Sequence, residues 1–115
     1  MSIRDELLGL VSQKPTLAPV KFCGKDLFVR EMTGAERDAF EADQVDAGKT
    51  GNALKNFRAR LLVRVLVDEA GVRVFTDADA DTVGNLPSRE IRRVFDKAAK
   101  LNALDPDDVK ELEKK

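Results

Sequence analysis

The sequence predicts a mainly α, α+β fold: a small helical domain of about five helices with one N-terminal β-hairpin. Three observations lead there. Apolar residues recur at spacings of three and four along most of the chain, one early stretch alternates around a glycine, and proline, glycine and asparagine clusters separate the periodic pieces. At 115 residues, 43% of them hydrophobic, the chain is long and apolar enough to bury one core and too apolar for a disordered segment.

Residues 1–19 are expected to form an N-terminal helix and a Pro-containing linker, and residues 20–115 a single mainly helical domain with its hairpin at 20–31. In "SIRDELLGLVSQ", Ser2 can cap, Asp5 and Glu6 suit the positive end of the helix dipole, and Ile3, Leu7, Leu10 and Val11 share a face. Pro15 and Pro19 stop it, which makes this piece an arm rather than part of the core. "VKFCGKDLFVREM" alternates on either side of Gly24, the pattern of a hairpin. Thr33 and Glu36 form a capping box for a helix whose inward residues are Ala35, Ala39 and Phe40, and "GKTGN" ends it. Residues 53–67 place Leu54, Phe57, Leu61 and Val65 on one stripe of a central, buried helix. Residues 62–75 admit two readings: helix through Val67 followed by an extended "VRVF", which the spacing favours, or a second hairpin around "DEAG".

The clearest helix is "SREIRRVFDKAAKLNAL". Ile91, Val94, Phe95, Ala98 and Leu101 face inward, Arg93, Asp96, Lys97 and Lys100 face water, and Ser88 can cap it. Asn102 falls on the apolar stripe, where it either satisfies a neighbouring backbone group, the favoured reading, or meets a partner. The last helix, "DPDDVKELEKK", has Asp105 as cap, Pro106 in its first turn, acids first and lysines last, with Val109 and Leu112 as apolar anchors.

Charge narrows function. Twenty Lys and Arg against 21 Asp and Glu leave a net charge of −1, without the basic excess of a dedicated nucleic-acid binder or the attraction to anionic lipid of a membrane-surface protein. No apolar run approaches the ~18 residues of a membrane span. One cysteine, Cys23, permits no internal disulfide and suits a reducing cytoplasm, and the absence of histidine removes the commonest general base and zinc ligand.

"VFTDADADTVGNLP" is the stretch that most suggests chemistry, with Asp77, Asp79 and Asp81 at alternate positions. A calcium loop of the EF-hand type needs glycine sixth and glutamate twelfth; counted from Asp77 those positions hold Thr82 and Ser88. The stretch is better read as a helix start capped by Thr76 or Asp77, pinned to the core by Val83 and Leu86. "GKT" at 48–50 lacks the first glycine of a phosphate loop, since Asp43 stands there. Arg58, Arg60, Arg64, Arg89, Arg92, Arg93, Lys97 and Lys100 can be drawn as a basic stripe, but Tyr and Trp are absent for stacking. Glu36, Asp38, Glu41, Asp43 and Asp46 crowd one helix, and Lys55, Arg58, Arg60 and Arg64 the next, so the two are expected to attract. No catalytic, cofactor or metal constellation is found.

The order of pieces resembles the tail assembly chaperones of long-tailed phages and prophages. A hairpin leads into "REMTGAERDAFEA"; then come "LVDEAGVRVFTDAD" and the ending "LNALDPDDVKELEK", the most specific parts of a likeness running from about Val20 to Lys115. The resemblance implies a non-enzymatic assembly factor without cofactor or metal. It would bind the phage tape-measure protein, keep it soluble and help recruit the tail-tube protein. It would act as a homo-oligomer in the cytoplasm of the bacterial host, touch neither nucleic acid nor membrane, and be absent from the mature virion. It also implies a longer frameshifted product, for which the lysines of "KELEKK" mark the place. Phe28, on the opposite hairpin face from Leu27 and Val29, is offered with Val109 and Leu112 as a partner-binding surface; the competing reading puts all three in the core. The alternative function is a structural neck or tail-completion protein retained in the virion.

Overall fold

The structure is a computed structural model that describes residues 2–104 and 106–113. The described residues contain six α-helices and a three-stranded antiparallel sheet of order β1-β2-β3, one helix and one strand beyond the expected five helices and hairpin. The elements are α1 (Ile3–Gly9) with a 3-10 turn (Leu10–Ser12), β1 (Leu17–Phe22), β2 (Lys25–Arg30), α2 (Gly34–Lys49), α3 (Phe57–Val65), β3 (Leu66–Val67), a 3-10 turn (Asp77–Asp79), α4 (Ala80–Val83), α5 (Ser88–Leu101) and α6 (Pro106–Glu113).

Ser2 caps α1 by accepting the Asp5 N–H at 3.1 Å, yet none of the residues of α1 or its 3-10 turn is buried. The hairpin starts earlier than its alternation suggests, at Leu17, because Pro19 sits in β1. β1 pairs only with β2, so it is an edge strand, where a missing N–H costs no ladder bond. Phe22 opposes Lys25, leaving a two-residue turn in which Cys23 and Gly24 both have positive φ, the turn that suits strand twist. Cys23 lacks the freedom of glycine there, and its N–H is held by the Glu90 carboxylate at 2.8 Å.

The Thr33–Glu36 capping box forms, with bonds of 2.8 and 3.1 Å. Behind it Phe40 and Gln44 are the buried residues of α2, whereas Ala35 and Ala39, expected inward, are exposed. The Phe40 ring stands in a row of tilted rings with Phe57 and Phe95, at centroid separations of 6.0 and 5.8 Å. Helix α3 starts at Phe57 rather than residue 53, and Leu54 lies outside it, 68% exposed. Asn56, in the left-handed region, precedes the first turn, and Gly84 lies against its side chain so closely that a Cβ there would collide with it. Six of the nine α3 residues are buried, which makes it the central helix.

Residues 62–75 combine both expected readings. The helix ends at Val65, Leu66 and Val67 pair with Val29 and Phe28, and the chain turns through Asp68–Gly71 to a bridge between Val67 and Arg73. The Asp68 carboxylate accepts the N–H groups of Ala70 and Val72, which fixes that turn. The β-branched alternation around "DEAG" therefore wins over helix propensity in the last two residues.

Helix α5 packs on β1, β2 and α3 and buries Ile91, Val94, Phe95 and Ala98, while Arg93, Asp96, Lys97 and Lys100 face solvent. Pro87, not Ser88, occupies its cap position, and no side chain caps it. Proline's fixed φ sets up the first turn without the hydroxyl bond. Helix α6 rests on α2. Its expected cap, Asp105, lies outside the described residues.

Candidate functional site

The polar groups of the molecule gather at the C-terminal end of α3. Arg30 is the last residue of β2, Arg64 lies in the last turn of α3, and Arg73 follows the 68–71 turn. Pairing of β2 with β3, and of Val67 with Arg73, brings the three together. Arg30 Nε donates to the Arg64 carbonyl at 3.0 Å, and Arg73 Nε and Nη2 donate to the Val63 carbonyl at 3.1 and 2.6 Å. These carbonyls are among those a helix end leaves unsatisfied, and cations suit the negative end of its dipole. Arg30 also pairs with Glu36, and Arg73 with Asp77 at 2.7 Å.

Arg64 differs from its two neighbours. It approaches Asp77 at 3.5 Å and Asp43 at 4.0 Å, and among the described residues its guanidinium makes no hydrogen bond. Its side chain is only 14% exposed. Arg30, Arg64 and Arg73, with Ala35, Glu36 and Ala39, line an open hollow of about 250 Å³. The Arg73 bond holds the Asp77 carboxyl below its usual value, against partial burial and with help from Arg64. Burial alone would raise the Glu36 carboxyl, but the Thr33 N–H and Arg30 outweigh it and the net direction is down.

A second polar group lies where α2, α3 and α6 meet. Gln44 is fully buried; its Nε2 donates to the Ala53 carbonyl at 2.6 Å and the Leu112 carbonyl at 2.9 Å, and its Oε1 accepts from Arg60. Arg60 also donates to the Ala53 carbonyl at 2.8 Å and to the Lys55 carbonyl, and lies 3.9 Å from Asp43. Burial pulls the Arg60 guanidinium below its ordinary pKa, and Asp43 and Asp81 oppose that. The expected attraction between α2 and α3 thus runs through Asp43, which faces both Arg60 and Arg64. Asp46 and Glu41 instead pair within their own helix, with Lys49 and Arg37.

The three aspartates of "VFTDADADTVGNLP" diverge. Asp77 pairs with Arg73, Asp79 accepts the Thr76 N–H at 2.8 Å and starts the helix, and Asp81 accepts from Asn56 at 2.9 Å. Among the described residues no group of three His, Cys, Asp or Glu side chains converges as a metal site would. The basic stripe is broken up as well. Arg60 and Arg64 turn inward, Arg58 lies over the Phe95 ring at 5.3 Å, Arg92 pairs with Asp96 and Arg93 with Glu90.

Phe28, Val109 and Leu112 are not brought together. Phe28 is half-buried between its cross-strand neighbours Pro19 and Val67 and edges a shallow hollow of about 310 Å³ with Pro19, Val20, Lys21, Asp26 and Leu27. Leu112 is 5% exposed and belongs to the core, Val109 packs against it, and the hollow beside them is lined by Arg37, Glu41, Asp108 and Glu111 as well. In this conformation Leu112 is an anchor of the fold. The large exposed apolar surface lies elsewhere, on the arm: Ile3 (69%), Leu7, Leu8, Leu10 and Val11 (84%). A cleft of about 820 Å³ runs from Leu10 and Val11 past Pro15 to Arg30, Met32, Ala35 and Glu36.

Sequence reasoning passed over Gln44 and Glu90. Both had a signal: Gln44 follows Phe40 by four residues, and Glu90 precedes Val94 by four, so each is a polar group on an apolar face. Asn102, on the apolar stripe of α5, carries the same signal. Its Oδ1 accepts the Met32 N–H at 2.7 Å, and its Nδ2 donates to the carbonyls of Arg30 and Ala98 at 3.3 and 3.0 Å.

Comparison with known proteins finds that residues 22–115 match the family described as phage tail assembly chaperone. The fold is similar to that of the tail assembly chaperone of bacteriophage HK97, with a TM-score of 0.59 and 20% sequence identity over 84% of this chain and 97% of that one. No match is found among curated proteins. The arm, residues 2–12, lies outside the matched span.

Proposed function

The chain belongs to the phage tail assembly chaperone family, and from that membership we propose that it binds the tape-measure protein, keeps it soluble and helps recruit tail-tube protein. The observation that carries the reading is the family match over residues 22–115, nearly the whole folded body. The fold likeness to the HK97 chaperone supports it. The chaperone is a binding protein rather than an enzyme and uses no cofactor or metal. It works as a homo-oligomer in the cytoplasm of the bacterial host and leaves before the virion is complete. Among the described residues no helix is long and apolar enough to cross a membrane.

A tape-measure protein is long and helical, so copies of a small chaperone can line up along it. Weak single contacts then add through high effective concentration. Two surfaces suit such contacts: the apolar arm with its cleft, and the hollow beside Phe28. Val109 and Leu112 contribute by seating α6. The test is co-expression. The tape-measure protein alone should aggregate, and with this chain it should stay soluble and co-purify. If solubility and co-purification are unchanged, and mass spectrometry finds the chain in purified virions, a neck or tail-completion protein is the correct reading.

A further inference from the structure

The hollow at the end of α3 contains more cation than the fold consumes. Its lining holds three arginines, Arg30, Arg64 and Arg73, against one carboxylate, Glu36, while Asp43 and Asp77 approach them from beside it. Arg30 and Arg73 spend their donors on the Arg64 and Val63 carbonyls and on Glu36 and Asp77. Arg64 has only the two long ion-pair approaches, shares both acids with other arginines, and is largely sheltered from water. A guanidinium in that position presents a planar fork matched to a carboxylate, at a depth where charge-assisted bonds are strong. The wall opposite is Ala35 and Ala39, whose small side chains leave the space open.

We propose that this hollow receives the carboxylate of an Asp or Glu side chain from the chain's protein partner, with Arg64 as its main contact. The larger cleft shares Arg30, Ala35 and Glu36 with the hollow and continues to Leu10 and Val11. The partner segment is therefore one in which an acidic residue is flanked by apolar ones: the acid sets register at Arg64 while the apolar residues cover the arm. This rests on the reading that the chain engages a protein partner.

The first test uses the whole ¹⁵N-labelled chain, titrated at fixed ionic strength with 4-phenylbutyrate, its neutral amide 4-phenylbutanamide, and inorganic phosphate. The carboxylate should move the Arg64 side-chain N–H signal and the Ala35 and Ala39 amides. The neutral amide should not, and phosphate should bind more weakly. Arg64→Gln should weaken the carboxylate by about tenfold, the loss of one charge-assisted pair. Ala39→Glu, at an exposed helix position that needs no refolding, should fill the hollow with a tethered carboxylate and abolish the response. Equal shifts with the neutral amide, or full binding by A39E, would overturn the inference; tighter binding of phosphate would too, and would mark a phosphate-backbone site instead. In co-expression, wild type should hold the tape-measure protein and A39E should release it. If both hold it, the hollow is not the contact although the chaperone reading stands. If wild type fails to hold it, the proposed partner is wrong, and the claim of a protein carboxylate at Arg64 falls with it whatever the titration shows.

Discussion

Helices α1 and α5 are written in the same pattern, with apolar residues three and four apart and charges between them, yet they end in opposite situations. α5 presses Ile91, Val94, Phe95 and Ala98 against α3 and the hairpin, and the four are buried. α1 presents Ile3, Leu7 and Leu8 to solvent and buries nothing. An amphipathic pattern states that a face needs cover. Whether the cover comes from the same chain depends on what the topology places opposite. For α5 it is the sheet and the central helix; for α1, cut off by Pro15 and an edge strand, the described residues supply nothing that buries it.

Four measurements test this difference between the two helices. Phe95→Ala should cost about 3–5 kcal/mol in urea denaturation, because it removes the end of the Phe40–Phe57–Phe95 row and the ring under Arg58. A loss as small as an arm substitution gives would erase the distinction between the helices. Asn102→Ala should cost about 1–3 kcal/mol, since it strands the Met32 N–H and the Arg30 carbonyl between the hairpin and α5. Asn102→Asp should recover part of that, keeping the acceptor for Met32 but not the donors.

Acid should have a milder effect on the body. Glu36 and Asp77 both have folded pKa values below their ordinary 4.5 and 3.8. The unfolded chain then binds more protons between the folded and unfolded values, so stability rises with pH there. The contribution is complete above the ordinary values and lost as pH falls through the lowered ones. Thermal melts of Glu36→Gln and Asp77→Asn should be less acid-sensitive than wild type below about pH 4.5, the upper of the two ordinary values. The smallest effect belongs to the arm. Leu7→Ser with Val11→Ser should change stability by no more than about 0.5 kcal/mol. Sedimentation should show weaker self-association if the arm is an oligomer contact, and unchanged association would move that contact elsewhere.

What the sequence made legible follows the same division. α5 was readable face by face, and the Ser2 cap, the Thr33–Glu36 box and the helix start at Thr76–Asp79 were readable because each depends on neighbours three residues away. The boundaries of α3 were not. Leu54 fits the stripe by spacing, but the chain turns at Asn56, and Leu66 and Val67 leave the helix to pair with β2. Those outcomes depend on Gly84 and on strand partners nearly 40 residues away, which no local window contains. Leu112 stays open between core anchor and partner surface in the sequence for a similar reason. Only its docking on α2, beside a Gln44 that bonds its carbonyl, puts it in the core. The arginine hollow assembles residues from β2, α3 and the segment after β3, so it had no sequence signature as a site.

Three of the clasps described above share one property. Glu90 holds the Cys23 N–H, Asn102 the Met32 N–H, and Gln44 the Leu112 carbonyl, across 67, 70 and 68 residues of chain respectively. Each joins the first half of the sequence to the second. As the chain emerges from the ribosome, the hairpin and α2 appear with those polar groups still unpaired, and the partners arrive only after more than half of the remaining sequence has been made. Loop closure over such spans must be met before any of these bonds forms. The three clasps therefore close only once α5 and α6 are out, through non-local contacts of the kind that slow folding. Until then Phe22 and Val29, both destined for the core, lack the α5 surface that completes their shelter, so this chaperone passes through an exposed state of its own before it can shield another chain.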